Sequence, residues 1–426
     1  MNICTRWAAL VLSGTLFAWA GGAAAGGFGL ATQSGSGTGN AFAGGAAAVD
    51  DASIVWFNPA GMTFLPRGKQ VTAALHVIKT SHEYHDMGST GAFGFPGTGD
   101  GGNGGVTAYV PNAYFAMDVN PKLSFGLAVN APFGLKTNYD AGWRGQLTAL
   151  KSEVESININ PSFAYKASDQ VSIGAGVSVQ KLKAELTSCA AFPPPAPACS
   201  NVADLNADDY GYGFNLGLMV QAAPSTRIGA SYRSSIKYEL DGNATFSGAP
   251  AGNSNIKADL RVPDSASFSV FHEAGSKWEL MGDITWTKWS TVQQLTVIRT
   301  SGPLTGMTLS TLPFNWDDTW RFGVGANYKL SGQTKLRLGA AYDQTPTNDT
   351  TRTPRLPGSD RTWVAFGVQY KPSKSGTLEV GYAHEFIHDA TVNVPVPGQT
   401  TCALGCLTGS FDNKADIISV QYSHSF

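Results

Sequence analysis

The sequence is poor in charged residues and contains no long apolar run after its first 25 residues. Asp, Glu, Lys and Arg make up 14% of the chain, against about a quarter of an average soluble domain. The 29 basic and 31 acidic residues nearly balance, so the composition predicts no nucleic-acid-binding surface. Because a spanning helix needs roughly 20 apolar residues in succession, helices cannot cross a membrane here. A closed barrel is the other fold that satisfies every backbone polar group in hydrocarbon.

The first 25 residues predict a secretory signal peptide. Arg6 gives a positive start, residues 8–20 are apolar, and Ala23–Ala25 form a small-residue cleavage site. The alternative, a retained anchor helix, is disfavoured because the apolar run is short and interrupted. The mature chain is then expected to begin near Gly26. Export, low charge and the lack of a spanning helix together predict the outer membrane of a Gram-negative cell.

Cysteine is also scarce, and only four cysteines follow the predicted cleavage site. They form two close pairs, Cys189 with Cys199 and Cys402 with Cys406. In an oxidising compartment, local disulfides are the simplest of the three possible connectivities. The alternative, zinc binding, lacks a histidine at ligand spacing near either pair. We expect the pairs to staple loops and predict no metal site.

What the chain does contain is a series of alternating segments. Apolar side chains alternate with small or polar ones, for example in 123–131, 171–180, 320–329 and 364–370, as in a transmembrane strand with one face toward lipid. Short connections alternate with long ones, as periplasmic turns alternate with outer loops. The pattern gives fourteen candidate strands, an even number as bacterial barrels require, although twelve or sixteen strands stay possible. These strands begin near residues 69, 108, 123, 152, 171, 207, 226, 256, 277, 315, 333, 361, 376 and 413.

The last segment, residues 418–426, alternates and ends on the aromatic residue Phe426. It resembles the C-terminal strand by which outer-membrane barrels are recognised for insertion. His424 occupies a place that is usually apolar. The segment therefore predicts the barrel-insertion machinery as a partner.

Residues 26–67 do not share the alternating pattern. They are rich in Gly and Ala, and Asp50–Met62 is compact, turn-rich and unrepeated. A barrel of about fourteen strands is too wide for its own side chains to fill, so it holds either water or a plug. The predicted fold is an all-β transmembrane, antiparallel 14-stranded outer-membrane β-barrel with an N-terminal hatch inside the lumen. Its parts are a signal peptide (1–25), the hatch (26–67) and the barrel (68–426).

An ordered set of short motifs resembles the FadL family of outer-membrane long-chain fatty-acid and hydrocarbon transporters. Four motifs resemble the N-terminal hatch of that family, namely Gly27–Leu30, Ser34–Gly44, Asp50–Ser53 and Asn58–Met62. Further matches lie along the wall at 131–139, 143–145, 159–165, 260–265 and 316–320. The resemblance extends over essentially the whole mature chain.

The resemblance implies a hatch-closed barrel that takes up hydrophobic molecules down their own gradient. In the family, ligand meets a groove between outer loops and then a deeper pocket bordered by the mature N-terminus. Phe28 and Leu30 match the hatch tip beside that pocket. Asn58, Pro59 and Ala60 match the hatch motif.

The family's ligand leaves through a gap in the wall where the third strand bends inward. Pro132, Phe133 and Gly134 follow the third predicted strand and are the candidates for this bend. Proline removes a ladder donor and glycine tolerates unusual dihedral angles, so a wall can break there. The alternative, that Pro132 begins the outer loop, stays open at this point.

The residues suit an apolar ligand, since each buried methylene contributes about 0.8 kcal/mol. A carboxylate on that ligand would favour a basic partner, for which Lys183 and Arg321 are the candidates. Either residue could instead be a lumen charge paired with Asp or Glu, and an uncharged hydrocarbon needs no basic partner. Apolar residues available for an outer groove are Phe93, Phe95, Pro96, Phe192, Leu304, Met307, Leu309, Leu312 and Phe314.

Signals for an enzyme are poor. His82–Asp86 has a metal-like composition but is predicted to be a solvated loop. Gly35–Gly39 does not lie between a strand and a helix of a nucleotide fold, and there is no Gly-x-Ser-x-Gly motif. We therefore expect a monomeric transporter without cofactors, whose partners are a hydrophobic ligand and membrane lipid. A general diffusion porin for polar solutes and an outer-membrane lipase are the alternatives.

Overall fold

Fourteen antiparallel spans close into a barrel in the computed structural model, which describes residues 26–90, 97–190, 199–399 and 401–426. The predicted signal peptide and the loop residues Phe93, Phe95, Pro96 and Phe192 lie outside the described residues. The spans are β1 (Lys69–Asp86), β2 (Thr107–Asn120), β3 (Leu123–Asn130) with β4 (Gly134–Asn138), β5 (Lys151–Lys166), β6 (Val171–Cys189), β7 (Val202–Ala223), β8 (Thr226–Arg233) with β9 (Ile236–Phe246), β10 (Ser254–Val262) with β11 (Ser265–Ala274), β12 (Trp278–Thr287) with β13 (Gln294–Arg299), β14 (Thr308–Pro313) with β15 (Thr319–Lys329), β16 (Thr334–Asp343), β17 (Arg361–Tyr370), β18 (Gly376–Ile387) with β19 (Ala390–Pro395), and β20 (Cys406–Ser425).

The barrel closes because β1 pairs with β2 on one edge and with β20 on the other. The predicted count of fourteen strands is confirmed. The sixth, tenth and fourteenth spans begin earlier than predicted, at Val202, Thr308 and Cys406. Their outer ends are polar or irregular in pattern, so the alternation that identifies the lipid-facing part is absent there.

The two faces of the wall differ as the alternation predicts. In β6, Ile173 and Val177 are 50% and 56% exposed on the outside, whereas Ser172 and Ser178 face inward and are buried. β17 repeats this, with Val364 exposed. Apolar side chains therefore meet lipid and small polar ones line the lumen.

Six spans are each interrupted once, at 131–133, 234–235, 263–264, 288–293, 314–318 and 388–389. In spans seven to ten the interruptions lie side by side. Below them, toward the short turns, the wall continues as β8, β11, β12 and β15. Above them it continues as β9, β10, β13 and β14. One side of the barrel is thus built from two stacked ladders.

Residues 26–66, named here the N-terminal segment, are enclosed by the wall. The segment contains helices α1 (Gly35–Thr38) and α2 (Ile54–Phe57) and the 3-10 helix Pro59–Phe64. The 3-10 helix contacts β5, β6 and β7, whereas α1 contacts β17, β18 and β20, so the segment touches distant parts of the barrel. Within the described ranges, no helix is long and apolar enough to cross a membrane.

The prediction that His82–Asp86 forms a loop is wrong. These residues continue β1, and His82 Nδ1 lies 2.7 Å from Asn413 Oδ1 of the neighbouring β20. Alternation fails as a guide here because this outer part of β1 has polar side chains on both faces.

Candidate functional site

Asn58 anchors the N-terminal segment to the wall. Its Nδ2 donates to Leu218 O of β7 at 2.9 Å and to Ala46 O at 2.7 Å, while its Oδ1 accepts from Ala60 N at 3.1 Å. Pro59 follows as the first residue of the 3-10 helix, where a missing N–H costs nothing. Asn58, Pro59 and Ala60 thus connect α2 with the 3-10 helix and fix both to β7.

Glycines on the inner face of the wall allow this close approach. A Cβ atom at Gly217 would lie 2.1 Å from Asn58 Oδ1, and one at Gly174 would lie 2.4 Å from Ala60 N. Such distances are below any van der Waals contact, so a larger residue would displace the segment. Gly229 and Gly339 make equally close approaches to the segment's backbone.

A charge cluster, buried at Arg337 and Glu379, holds the other side of the segment. Arg337 Nη1 lies 3.1 Å from Asp50 Oδ2, and its Nη2 lies 2.7 Å from Glu379 Oε1. Lys335 Nζ lies 3.4 Å from Asp50 Oδ1 and 2.8 Å from Glu279 Oε2. Burial by itself would raise the pKa of Asp50, but Arg337 and Lys335 outweigh it and hold that pKa far below its ordinary value. Asp50 therefore stays ionised and paired.

Phe28, at the tip of the segment, is clamped by aromatic rings from the interrupted spans. Its ring centroid lies 5.7 Å from that of Phe133, 5.1 Å from Trp289 and 5.8 Å from Trp316. Phe133 lies in the third span's interruption, Trp289 in the ninth's and Trp316 in the tenth's. Because Phe133, Trp289 and Trp316 lie outside the hydrogen-bonded ladders, their rings can point into the lumen. Together they form an aromatic cage around the tip.

A cavity of about 230 Å³ lies beside this cage. Its apolar lining comes from both the segment and the wall, namely Leu30, Phe42, Trp56, Phe57, Phe133 and Trp289. Hydroxyl groups of the wall also line it, from Ser231, Ser265, Ser267, Thr285, Thr287 and Thr319. The cavity therefore suits an amphiphile, with an apolar part against the first set and polar atoms against the second.

Four charged residues also line the cavity, namely Arg233, Arg321, Asp283 and Asp343. Arg321 Nη1 lies 3.6 Å from Asp283 Oδ2, and its Nη2 donates to Ala41 O. Asp283 Oδ1 also accepts from Gly44 N at 3.2 Å. Arg321 and Asp283 thus form a pair that also holds the segment, so the charge of Arg321 is already compensated.

The wall opens at the interruption of the third span. The pairing of β2 with β3 stops at Ala113 and Val129, and β4 pairs with β5. In the described part of the chain no ladder joins β2 to β4. Pro132 lies in this interruption, between two strand pieces of the same span. The result is a gap in the ladder next to the cavity.

Backbone groups of the N-terminal segment occupy the edge freed by the gap. Leu30 N donates to Pro132 O at 2.8 Å, and Gly134 N donates to Phe28 O at 2.9 Å. Gly29 and Phe133 form an antiparallel bridge. The segment's tip therefore replaces the missing neighbour strand at this point.

Lys183 lies outside the cavity, contrary to the predicted ligand-binding role. β6 turns Leu182 inward, where it is fully buried, and leaves Lys183 exposed on the outer face. Its neighbours across the ladder are Glu155 and Asp208. The period-two alternation of a strand explains this, because a shift of one residue reverses the face.

Part of the predicted outer groove packs directly above the aromatic cage. Leu309, Leu312 and Phe314 are partly buried against the same cluster as Phe28. Leu304 and Met307 are exposed, at 46% and 57%. An apolar path thus leads from the surface of this loop toward the tip.

The four cysteines lie in the outer part of the protein. Cys189 is bonded to Cys199 and Cys402 to Cys406, with Cα atoms 5.3 Å and 5.0 Å apart. The first bond starts from the last residue of β6, and the second ends on the first residue of β20. Neither pair lines the cavity.

The sequence interpretation missed Trp289, Trp316 and Arg233. Trp316 belongs to a motif that carried the resemblance, so its position could have been identified from that motif. Trp289 lies in the ninth span's interruption and Arg233 directly precedes the seventh's, and neither interruption has a distinct sequence signal. The neighbouring interruption, in the eighth span, does have a sequence signal in Pro263–Asp264, because proline inside a strand pattern marks a break.

Comparisons with known proteins agree with this architecture. The family model described as outer membrane protein transport protein (OMPP1/FadL/TodX) matches residues 16–426. Outer membrane protein P1 of Haemophilus influenzae is 30% identical over 403 residues, covering 86% of this chain and 87% of that protein. The long-chain fatty acid transport protein of Escherichia coli O6:H1 is 27% identical over 438 residues, covering 94% of each.

Two solved structures resemble the barrel closely. The crystal structure of a Pseudomonas aeruginosa FadL homologue gives a TM-score of 0.85 at 26% identity, covering 94% of this chain and 100% of that chain. The Pseudomonas putida toluene transporter TodX gives a TM-score of 0.66 at 18% identity, covering 95% and 99%. The second likeness supports the fold alone.

Proposed function

The chain belongs to the OMPP1/FadL/TodX family of outer-membrane transport proteins, and from this premise we propose that it carries hydrophobic molecules inward by passive diffusion. Residues 26–67 act as the hatch that closes the barrel 68–426, after removal of the signal peptide 1–25. Phe28 and Leu30 form the movable tip, and Asn58, Pro59 and Ala60 form the fixed anchor. The protein is a transporter of the outer membrane, and no catalytic step is proposed.

The observation that carries this proposal is the position of the cavity. It lies between an apolar outer path, through Leu309, Leu312 and Phe314, and the gap beside Pro132. An acyl chain or aromatic ring in the cavity replaces water against Trp289 and Phe133, which stabilises it by about 0.8 kcal/mol per buried methylene. Binding needs no energy source, and release needs only a second apolar phase.

We further propose that the ligand leaves sideways at Pro132, Phe133 and Gly134. The tip residues that occupy this edge make two backbone hydrogen bonds with it. When the tip moves, the gap between β2 and β4 connects the cavity with the hydrocarbon of the membrane. A hydrophobic molecule then never crosses the polar turns.

The substrate class is a long-chain fatty acid or a related lipid or hydrocarbon. A relative is named long-chain fatty acid transport protein, and the cavity lining is both apolar and polar. A porin for polar solutes is disfavoured because the N-terminal segment occupies the lumen. The protein acts as a monomer, and Phe426, which is 74% exposed at the barrel's end, is the contact for the insertion machinery.

The lateral exit is tested by straightening the third span. We expect the double substitution Pro132→Val and Gly134→Val to extend the ladder between β2 and β4 and so stop uptake of radiolabelled oleate by cells. Binding of oleate to the purified protein should persist, since the outer path is unchanged. Uptake equal to that of the wild type would refute the exit at this position.

The matched control replaces Pro161 and Gly282 with Val. Pro161 lies in the uninterrupted strand β5, and a Cβ at Gly282 meets only Gly323 O at 3.5 Å. Uptake by this control should equal that of the wild type. Large, steady conductance of the wild-type protein in a planar bilayer would instead favour the porin and refute the transporter.

A further inference from the structure

Another cavity, of about 450 Å³, lies on the outer face of the wall and is named here the wall groove. It extends across β12, β15, β16 and β17, at the ends of these strands that meet the short turns. Ala326 forms its floor, because its methyl group is shorter than the side chains of Leu280 and Leu338, which flank it in the ladder. The larger residues that border the groove are Trp278, Tyr328, Leu336, Leu338, Phe366 and Val368.

The lining of the wall groove is apolar. Arg337 also borders it, but the guanidinium lies on the inner face of the wall, where Nη1 is 3.1 Å from Asp50 Oδ2 and Nη2 is 2.7 Å from Glu379 Oε1. Trp278 and Tyr328 close the lower end of the groove, with ring centroids 4.8 Å apart. Aromatic side chains at this position mark the interface between acyl chains and head groups. The groove therefore lies at the level of acyl chains, and its lower end reaches the head groups.

Three lysines lie in the turns at this lower end. Lys277 directly precedes β12, and its Nζ is 5.8 Å from the centre of the Tyr328 ring. Lys371 and Lys374 lie in the turn that follows β17. The backbone N of Lys371 donates to Gln333 O of the neighbouring turn at 2.9 Å, so the two turns are in contact. Among the residues that the structure describes, none of these three lysines forms an ion pair.

Several other basic residues at the same rim have carboxylate partners. Arg67 Nη1 lies 3.7 Å from Asp118 Oδ2, and Lys166 Nζ lies 2.8 Å from Asp169 Oδ1. Lys329, at the end of β15, lies 3.0 Å from Glu279 Oε1. The three lysines beneath the groove thus carry a positive charge that these carboxylates do not compensate. Lysine clusters beside a hydrophobic membrane surface are typical of sites for anionic lipid head groups.

We propose that the wall groove binds one anionic glycerophospholipid from the periplasmic leaflet of the outer membrane. An acyl chain fills the groove over Ala326, and the phosphate accepts from Lys277, with Lys371 and Lys374 beside it. The buried methylenes contribute affinity for any phospholipid, whereas the lysines select the charge of the head group. The site does not depend on the transported molecule, because the groove and the cavity inside the barrel lie on opposite faces of the wall.

The groove lies directly outside a strand that holds the N-terminal segment. Leu336 and Leu338 of β16 face the groove, and Arg337 between them faces inward and pairs with Asp50. A lipid packed against the two leucines restricts the movement of β16 from the outside. The bound lipid therefore stabilises the wall at the point where the segment is attached.

Native mass spectrometry of the protein purified from outer membranes gives the first test. The protein is titrated in one mild detergent with phosphatidylglycerol or phosphatidylethanolamine of identical acyl chains, so the two probes differ only in the head group. We expect one phosphatidylglycerol to bind roughly tenfold or more tightly than phosphatidylethanolamine, since each lysine near the phosphate contributes about fivefold. Equal affinities overturn the anionic site. A dimer of the chain that excludes lipid overturns it as well, because the groove then holds a second copy.

Two variants separate the groove from the lysines. Ala326→Leu fills the groove and should weaken both lipids by roughly tenfold or more, since about two displaced methylenes account for that factor. The triple variant Lys277→Gln, Lys371→Gln and Lys374→Gln should abolish the preference for phosphatidylglycerol and leave the affinity for phosphatidylethanolamine unchanged. If Ala326→Leu does not assemble, the triple variant decides the question by its ratio of the two affinities.

Matched controls change the same residue types on the opposite side of the barrel. Ala175→Leu adds a leucine to the exposed outer face of β6. The triple variant Lys69→Gln, Lys122→Gln and Lys166→Gln removes three lysines from the same rim. Both controls should bind the two lipids as the wild type does.

Three results would overturn the assignment. One is unchanged binding of both lipids by Ala326→Leu. Another is a preference for phosphatidylglycerol that survives replacement of the three lysines beneath the groove. The third is an equal loss of preference in the control that lacks three lysines elsewhere at the rim, which would indicate a general effect of net charge.

Discussion

A valine at Gly217 is the sharpest test of how the N-terminal segment is held. The glycine lies on the inner face of β7, where even a Cβ atom would meet Asn58 Oδ1 at 2.1 Å and Pro59 Cδ at 2.9 Å. Because the wall strand is fixed by ladders on both edges, Asn58 must give way. The substitution therefore detaches the anchor without altering any residue of the segment.

The expected cost follows from the bonds that Asn58 loses. Its side chain donates to Ala46 O and Leu218 O and accepts from Ala60 N. At about 1 kcal/mol net for each hydrogen bond, the anchored state loses about 3 kcal/mol. Since 1.4 kcal/mol is a factor of ten, the population of the detached state rises by roughly a hundredfold.

Planar-bilayer recording measures this change directly. The Gly217→Val protein should show channel openings that are rare in the wild type, because a detached segment admits ions and water. Gly282→Val is the control, since its Cβ makes only an ordinary contact with Gly323 O at 3.5 Å and should leave the conductance at the wild-type level. If Gly217→Val conducts like the control and unfolds at the same temperature, the close approach does not hold the segment and the reasoning fails.

Two further predictions concern the tip and the charge cluster. Phe28→Ala removes a ring packed against three others, and loss of a buried Phe costs about 3–5 kcal/mol. Hydrogen exchange at the Leu30 amide should therefore accelerate by two orders of magnitude or more. An unchanged exchange rate would show that the aromatic cage does not hold the tip. Asp50→Asn removes the partner of Arg337 and Lys335 and should lower the thermal stability at neutral pH. Because the pKa of Asp50 is lowered in the folded protein, its contribution is complete above the unfolded value and is lost as the pH falls below it. The stability difference between wild type and variant should thus be constant from pH 5 to 8 and shrink below about pH 4, and a difference that grows on acidification would contradict the pairing.

The wall could be predicted from the sequence because its physics is repetitive. Lipid on one side and lumen on the other force an alternation that is visible in β3, β6, β15 and β17, and the count of fourteen spans followed from it. The alternation carries no information where both faces are polar, which is why His82–Asp86 was misassigned as a loop. It also leaves the face undecided when the register is uncertain by one residue, as at Lys183, which the structure places on the outer face.

The cavity could be predicted only in part. The motifs around Phe28 and Pro132 indicated where the tip and the wall meet, and the structure brings both to one place. Trp289 and Arg233 depend instead on interruptions of two to six residues whose positions are set by neighbouring strands. The residue pattern of one strand does not show whether the neighbouring strand is interrupted at the same level of the barrel wall. Arg321 was a candidate partner for a ligand's carboxylate, and the structure pairs it with Asp283, which is distant in sequence.

The side-by-side interruptions of spans seven to ten have a consequence for the mechanics of the wall. Below them, β8, β11, β12 and β15 form a complete ladder that shares no strand piece with the ladder above. Both ladders pair with the continuous strand β7, the upper one through β9 and the lower one through β8. Apart from this strand, only the short interruptions join them in the described part of the chain, so the upper ladder with its loops can shift against the lower one without breaking the lower ladder's register.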